Sequence, residues 1–197
     1  MVPENIVEAP QWEWLPWSAT LRAEDTVRAW LAPRLGCAAD AIALSRDVHG
    51  RPRLGGGDID VSWSHSGDGL VVAFGRDAIL GIDLESERRR PRVLELARRY
   101  FTTAEAAWLQ SYLCEAERGI AFLRLWCAKE AVLKAHGRGL AFGLHRLAFA
   151  ECDGALALVD ADPALGDARQ WHLQEFIPEP GYRAAMAWKR AAPTQCR

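Results

Sequence analysis

Apolar residues change their spacing along this chain, and each change predicts an element. Over residues 20–35, Leu21, Val27, Trp30 and Leu31 share one face at helical spacing, and Pro33 then Gly36 weaken and stop the helix. Residues 45–57, rich in Gly and Arg, read as loop, with Gly55-Gly56-Gly57 a flexible piece and not a dinucleotide fingerprint. Ile59, Val61 and Trp63 then alternate with Asp60, Ser62 and Ser64, the period of a half-buried strand. Residues 65–69 read as a turn, 70–74 as the returning strand, and 75–77 as a second turn into a strand marked by Ile79, Ile82 and Leu84. The first part is thus a helix followed by a β-meander.

The theme then recurs. Residues 93–100 and 103–113 read as helices, the second capped by Thr102 or Thr103. A long helix follows over 117–136, with Gly137 in its C-terminal cap. Strands are expected near 146–150, 155–159, 171–176 and 182–188, the last two separated by the turn Pro178-Glu179-Pro180-Gly181. Helices then antiparallel strands, twice over, predict an α+β fold of two similar halves, 1–80 and 81–197.

Two segments place charge where the apolar pattern leaves it little water. In Gly81-Ile82-Asp83-Leu84-Glu85 the strand period puts both acids on one face, roughly 6.5 Å apart. In the long helix, Phe122, Leu123, Trp126, Cys127 and Leu133 form one apolar arc, and Glu130 and Lys134 fall inside it. Charges inside a buried stripe are costly unless they are paired or hold an ion. Three inward carboxylates and an ammonium suit a hard cation such as Mg²⁺, which keeps waters and shares its shell with phosphates. Each half also has a plainer reading. Asp83 and Glu85 would serve equally on a solvated edge strand, and Glu130 with Lys134 as a surface i,i+4 pair worth a few tenths of a kcal/mol.

Taken together, the segments resemble the motifs G-(I/V)-D-(I/V/L)-E and W-x-x-K-E-(A/S)-x-x-K of the 4′-phosphopantetheinyl transferases, in their single-chain, surfactin-synthetase-activating type. Gly50-Arg51-Pro52, Ser64-His65-Ser66, the Ala97–Phe101 run with Glu105, Gly137-Arg138-Gly139-Leu140 and Pro180-Gly181-Tyr182-Arg183 follow in family order. The resemblance implies a pseudo-twofold pair of α+β halves with the active site in the cleft between them. It implies coenzyme A as co-substrate and an apo acyl or peptidyl carrier protein as partner. By the same likeness Asp83, Glu85 and Glu130 are Mg²⁺ ligands, Glu130 is also the general base, and Lys134 stabilises the leaving phosphate. Arg51, Ser64 and His65 match coenzyme A contacts, with Arg22 and Arg46 as further candidates for its 3′-phosphate. A degenerate homologue that binds coenzyme A or carrier protein without turnover is the alternative, and a nucleotide pyrophosphatase would also use three acids and a lysine.

Composition narrows the partners. Net charge −2 leaves no global footprint for nucleic acid. Arg88, Arg89, Arg90, Arg92, Arg98 and Arg99 nonetheless concentrate positive charge just after the acidic strand, either as a solvated face or as a dock for an acidic carrier. The five cysteines are scattered, without C-x-x-C, so neither a disulfide framework nor a zinc site is expected. With no leader and no membrane-length apolar run, the expectation is a cytoplasmic monomer. Trp12, Trp14 and Trp17 are expected to cap a core and not to form a ligand box.

Overall fold

The structure, a computed structural model, describes residues 8–55, 58–88 and 92–192. Its elements in chain order are β1 (Gln11–Pro16), α1 (Ala23–Leu35), β2 (Leu44–Arg46), β3 (Pro52–Leu54), β4 (Ile59–Ser66), β5 (Gly69–Arg76), β6 (Ala78–Ser86), α2 (Val93–Tyr100), α3 (Thr103–Ser111), α4 (Glu115–His136), β7 (Leu147–Cys152), β8 (Ala155–Ala161), β9 (His172–Phe176) and β10 (Tyr182–Arg190). This is an α+β fold. There are two three-stranded antiparallel sheets, ordered β1-β5-β4 and β6-β10-β9, and two separate small hairpins, β2-β3 and β7-β8.

Three apolar clusters hold it together. Val27, Trp30 and Leu31 of α1 pack on Val61, Leu70, Val72 and Phe74 of β4 and β5. The opposite face of β5, with Val71 and Ala73, meets Leu80, Ile82 and Leu84 of β6 and Met186 of β10. The other face of β10, with Ala185 and Ala187, receives α4, which α2, α3 and the β7-β8 hairpin cover in turn. The sheet β6-β10 is therefore buried on both faces, and its β6 edge looks across at β4.

That edge joins the sheets through side chains. Asp60 Oδ2 accepts from the Leu80 amide (2.8 Å), Ser62 Oγ from the Ile82 amide (3.2 Å) and Ser66 Oγ from the Ser86 amide (3.0 Å). The offset of 20 residues is the same at each rung, so β4 and β6 run in the same direction. The alternation in β4 predicts a solvated polar face; instead Asp60, Ser62 and Ser64 are buried, because that face supplies the seam.

Other departures have equally local causes. Leu21 stands outside α1 and is exposed, since the helix starts at Ala23. β1 is a strand that pattern reading misses: Trp12 and Trp14 alternate with Glu13 and Leu15, Trp12 stacking on Phe176 (3.9 Å) and Trp14 meeting Tyr182 edge-on (4.7 Å) in the second sheet. They cap a core, as expected, and it is the one shared by the two sheets. Within the stretch read as loop, β2 and β3 pair as a hairpin. α4 is buried on most of its circumference and not along one stripe, because sheet and helices enclose it. No helix among the described residues is long and apolar enough to cross a membrane. Cys37, Cys114, Cys127 and Cys152 are free thiols, and Cys196 lies outside the described residues.

Candidate active site

Helix α4 can approach β6 only because residue 81 lacks a side chain: a Cβ on Gly81 would stand 2.1 Å from the Ala131 carbonyl oxygen and 2.5 Å from the Ala135 amide nitrogen. With Gly81 beneath the helix, the strand period turns Asp83 and Glu85 toward the same side, while Leu80, Ile82 and Leu84 go into the core. One turn of α4 then brings Glu130 and Lys134 to the acids. Lys134 Nζ lies 2.7 Å from Asp83 Oδ1, which also accepts from Ser64 Oγ at 2.9 Å. Asp83 Oδ2 is buried with no hydrogen-bond partner.

The charges respond to one another. Burial first, and Asp83 next, raise the Glu130 carboxyl from 4.5 to about 7; Lys134 opposes this and Glu85 adds to it. Burial also pushes the Cys127 thiol well up, helped by Asp83 and Glu85, so Cys127 sits at the acids as a neutral group. Among the described residues, no group of three or more His, Cys, Asp or Glu side chains is drawn together closely enough to hold a metal ion. The acids are mutually felt but open, with the ammonium of Lys134 among them.

The expected coenzyme A contacts separate. Arg51 is 6% exposed: its Nε donates to the Lys134 carbonyl (3.0 Å) and its Nη2 to the Leu80 carbonyl (3.1 Å) and to Asp60. Much of its fork therefore serves the seam. It still lines a cavity of about 200 Å³ shared with Arg46, Ser62, Trp63 and Lys134. Arg46 is held there by Glu24 (2.8 Å) and the Gly50 carbonyl (2.6 Å), and Arg22 is exposed at the N-cap of α1. His65 lies within β4 and not in the turn, exposed, with its ring stacked on Trp17 at 4.1 Å. Alternation sends it to the face opposite Ser64.

Two residues inside the quoted motifs, given no role by the sequence, meet beside the acids. Lys129, next to Glu130, is wholly buried and pairs with Glu105 at 2.9 Å while donating to the Leu144 (2.9 Å) and Leu147 carbonyls. Glu105 also accepts from the Phe149 amide (2.8 Å) and from Thr102 in a capping box. A charge at the a/d-like core of a helix is the signal that could have revealed this pair. It fixes the rotation of α4 about its axis and so the direction of Glu130.

The profile of the 4′-phosphopantetheinyl transferase superfamily matches residues 79–187, the span that holds Gly81, Asp83, Glu85, Glu105, Lys129, Glu130 and Lys134. The chain belongs to that superfamily. It is 32% identical over 171 residues to a Synechocystis sp. protein named as a 4′-phosphopantetheinyl transferase, covering 82% of this chain and 68% of that one. The transferase HetI of Nostoc sp. is 32% identical over 166 residues (82% and 66%), and Sfp of Bacillus subtilis 28% identical over 170 (85% and 72%). The chain thus spans about two thirds of the length of these relatives. The Thermotoga maritima holo-[acyl-carrier-protein] synthase is a looser structural likeness, with a TM-score of 0.46 at 20% identity over 58% of this chain and 65% of that one.

Proposed function

We propose that this superfamily member transfers the 4′-phosphopantetheine arm of coenzyme A to a serine hydroxyl of an apo acyl or peptidyl carrier protein and releases adenosine 3′,5′-bisphosphate. The observation that carries the reading is the meeting of Asp83, Glu130 and Lys134 where α4 crosses β6. Mg²⁺ fits these residues. Asp83 Oδ2 is a buried oxygen with no hydrogen-bond partner, and Asp83 and Glu85 add to burial in raising the Glu130 carboxyl. Asp83, Glu85 and Glu130 would hold the ion, and its charge would offset that of the pyrophosphate oxygens.

The chain's own groups then act in order. Arg46 and Arg51 line a cavity beside Lys134 whose positive charge suits the nucleotide end of coenzyme A. Glu130 accepts the serine proton as its oxygen attacks the phosphorus on the pantetheine side. The bond to the bridging oxygen breaks, and Lys134 stabilises the departing phosphate. A groove of about 570 Å³ lined by the apolar Val93, Leu94, Ile120 and Leu123, and by Arg88, Arg92 and Arg118 together with Glu87, Glu95 and Glu115, is the dock for the carrier, through apolar contact as much as charge. Arg89 and Arg90 of the same cluster lie outside the described residues. A binding homologue without turnover would have no need of all three acids and Lys134.

The test is incubation with coenzyme A, Mg²⁺ and several apo carrier proteins, with the products weighed by mass spectrometry. A mass gain of one phosphopantetheine on a carrier supports the reading. Binding of coenzyme A with no gain on any carrier would favour the non-catalytic alternative.

A further inference from the structure

The face of β4 turned away from the seam carries Val61, Trp63 and His65 in a row, at the period of a strand. Val61 and Trp63 line the cavity that Arg46 and Arg51 share, and the Arg46 guanidinium lies over the Trp63 ring at 5.4 Å. A ligand that fills this cavity and continues along β4 toward Ser66 meets His65 next. His65 is exposed, and an exposed side chain left to itself samples several rotamers. Here a partner holds it: the imidazole is stacked on the Trp17 indole, with ring centroids 4.1 Å apart and planes 27° from parallel.

The strand before it brings Trp17 to this place. Leu15, Leu70 and His65 stand side by side across β1, β5 and β4. Trp17, two residues on from Leu15, packs like it against the α1 cluster, whereas Trp12 and Trp14 go to the core between the sheets. The Trp17 amide donates to the Asp68 carbonyl at 2.8 Å, and the Asp68 amide donates to Tyr182 Oη at 3.2 Å. The turn that follows His65 is thus pinned from the end of β1 and from β10. The nitrogens of an imidazole lie in its plane, so a partner on the ring face leaves them at the rim with their capacity to bond. An indole face holds a neutral imidazole by dispersion and a charged one by cation–π attraction as well, so the contact survives either protonation state.

We propose that Trp17 is a positioning residue for coenzyme A binding: it holds the His65 imidazole in one orientation, nitrogens at the rim, before the ligand arrives. Ordering a free side chain is part of the cost of binding, and a side chain already held avoids it. Trp17 need touch no part of coenzyme A to act in this way. The role rests on the reading of His65 as a coenzyme A contact, and it is decided by binding, without turnover. The motifs gave no sign of it, because Trp17 lies outside all of them, just after a strand that the apolar pattern did not reveal.

The experiment titrates coenzyme A into the full chain by calorimetry, with Mg²⁺ and no carrier protein, for the wild type, Trp17→Leu, His65→Ala and the double variant. Trp17→Leu keeps an apolar side chain but loses the flat face, and should weaken coenzyme A about 3–10-fold, the scale of one side chain that must be ordered. In the His65→Ala background the same change should cost less than about twofold, because the group it orders is gone. Trp17→Phe, which keeps a ring to stack on, should lie close to the wild type. In proton spectra the His65 ring resonance, identified by its loss in His65→Ala, should carry the upfield ring-current shift of a stacked indole and lose it in Trp17→Leu. Equal losses of affinity in both backgrounds would make Trp17 a packing residue or a ligand contact in its own right, and would overturn the proposal. So would unchanged affinity in Trp17→Leu, or in His65→Ala, which would remove His65 from the site. A wild type that shows the coupling but modifies no carrier would refute transfer while leaving the role of Trp17 intact.

Discussion

Replacing Glu130 by Gln should make the protein more stable and less active at once. In the folded chain this carboxyl is raised from 4.5 to about 7 by burial and by Asp83, against the pull of Lys134. Below pH 4.5 both folded and unfolded forms are protonated and the group contributes nothing. Between 4.5 and 7 the unfolded chain gives up the proton while the folded chain keeps it, so stability falls as pH rises. Above 7 the penalty is complete. At 1.36 kcal/mol per unit the shift sets an upper limit of about 3 kcal/mol. Partial exposure of the side chain reduces this to about 1–2 kcal/mol.

Urea unfolding in EDTA is the assay. Near pH 4.5 the two proteins should unfold together, and at pH 8 Glu130→Gln should be ahead by that amount. Mg²⁺ should then stabilise the wild type at pH 8 by mass action and the variant much less. Phosphopantetheine transfer should drop by about 10²-fold or more, the scale of a lost base. A variant less stable than wild type at pH 8, or a difference that does not change with pH, would refute the electrostatic account of this site.

Two further outcomes are expected. Lys129→Met leaves Glu105 charged and buried, so it should destabilise the fold by about 3–5 kcal/mol by urea unfolding, and a loss below about 1 kcal/mol would remove the pair as the anchor of α4. Reversing Arg88 and Arg92 to Glu should raise the KM for carrier protein and flatten its dependence on salt, with kcat at saturating carrier nearly intact; an unchanged carrier KM at low salt would make the cluster a solvated face.

Much of the second half was legible because its elements follow strong local periods. The expected strand near 155–159 is β8, and the expected helix at 93–100 is α2. The facing of Asp83 and Glu85 followed from a period of two, and the approach of Glu130 and Lys134 from their spacing of four. What could not be read was set by distant partners. β1 owes its strand to β5, and its tryptophans owe their burial to Phe176 and Tyr182, about 160 residues away in the chain. The polar face of β4 looked solvated because alternation says nothing of a second sheet edge. Arg51 was read as a ligand contact from its motif, whereas the fold turns much of its guanidinium toward Asp60, Leu80 and Lys134. Lys129 was hidden for the opposite reason: its neighbours in the motif drew the chemistry, and its own partner lies on the preceding helix, α3.

The seam between β4 and β6 raises a question of register. In an ordinary ladder every carbonyl is alike and register is set by which face is buried. Here Asp60, Ser62 and Ser66 are short acceptors and Ser64 a donor, and the three serines carry the same hydroxyl. A slip of two residues would leave most of them with an amide to hold, and would carry Ser64 away from Asp83. Asp60 is the rung that differs, because Arg51 grips it while also holding the carbonyls of Leu80 and Lys134. One arginine thus indexes strand, neighbouring strand and helix against each other. The alignment of the acids with their hydroxyl and ammonium partners is then a matter of counting residues from Arg51, a group that need take no part in the chemistry it aligns.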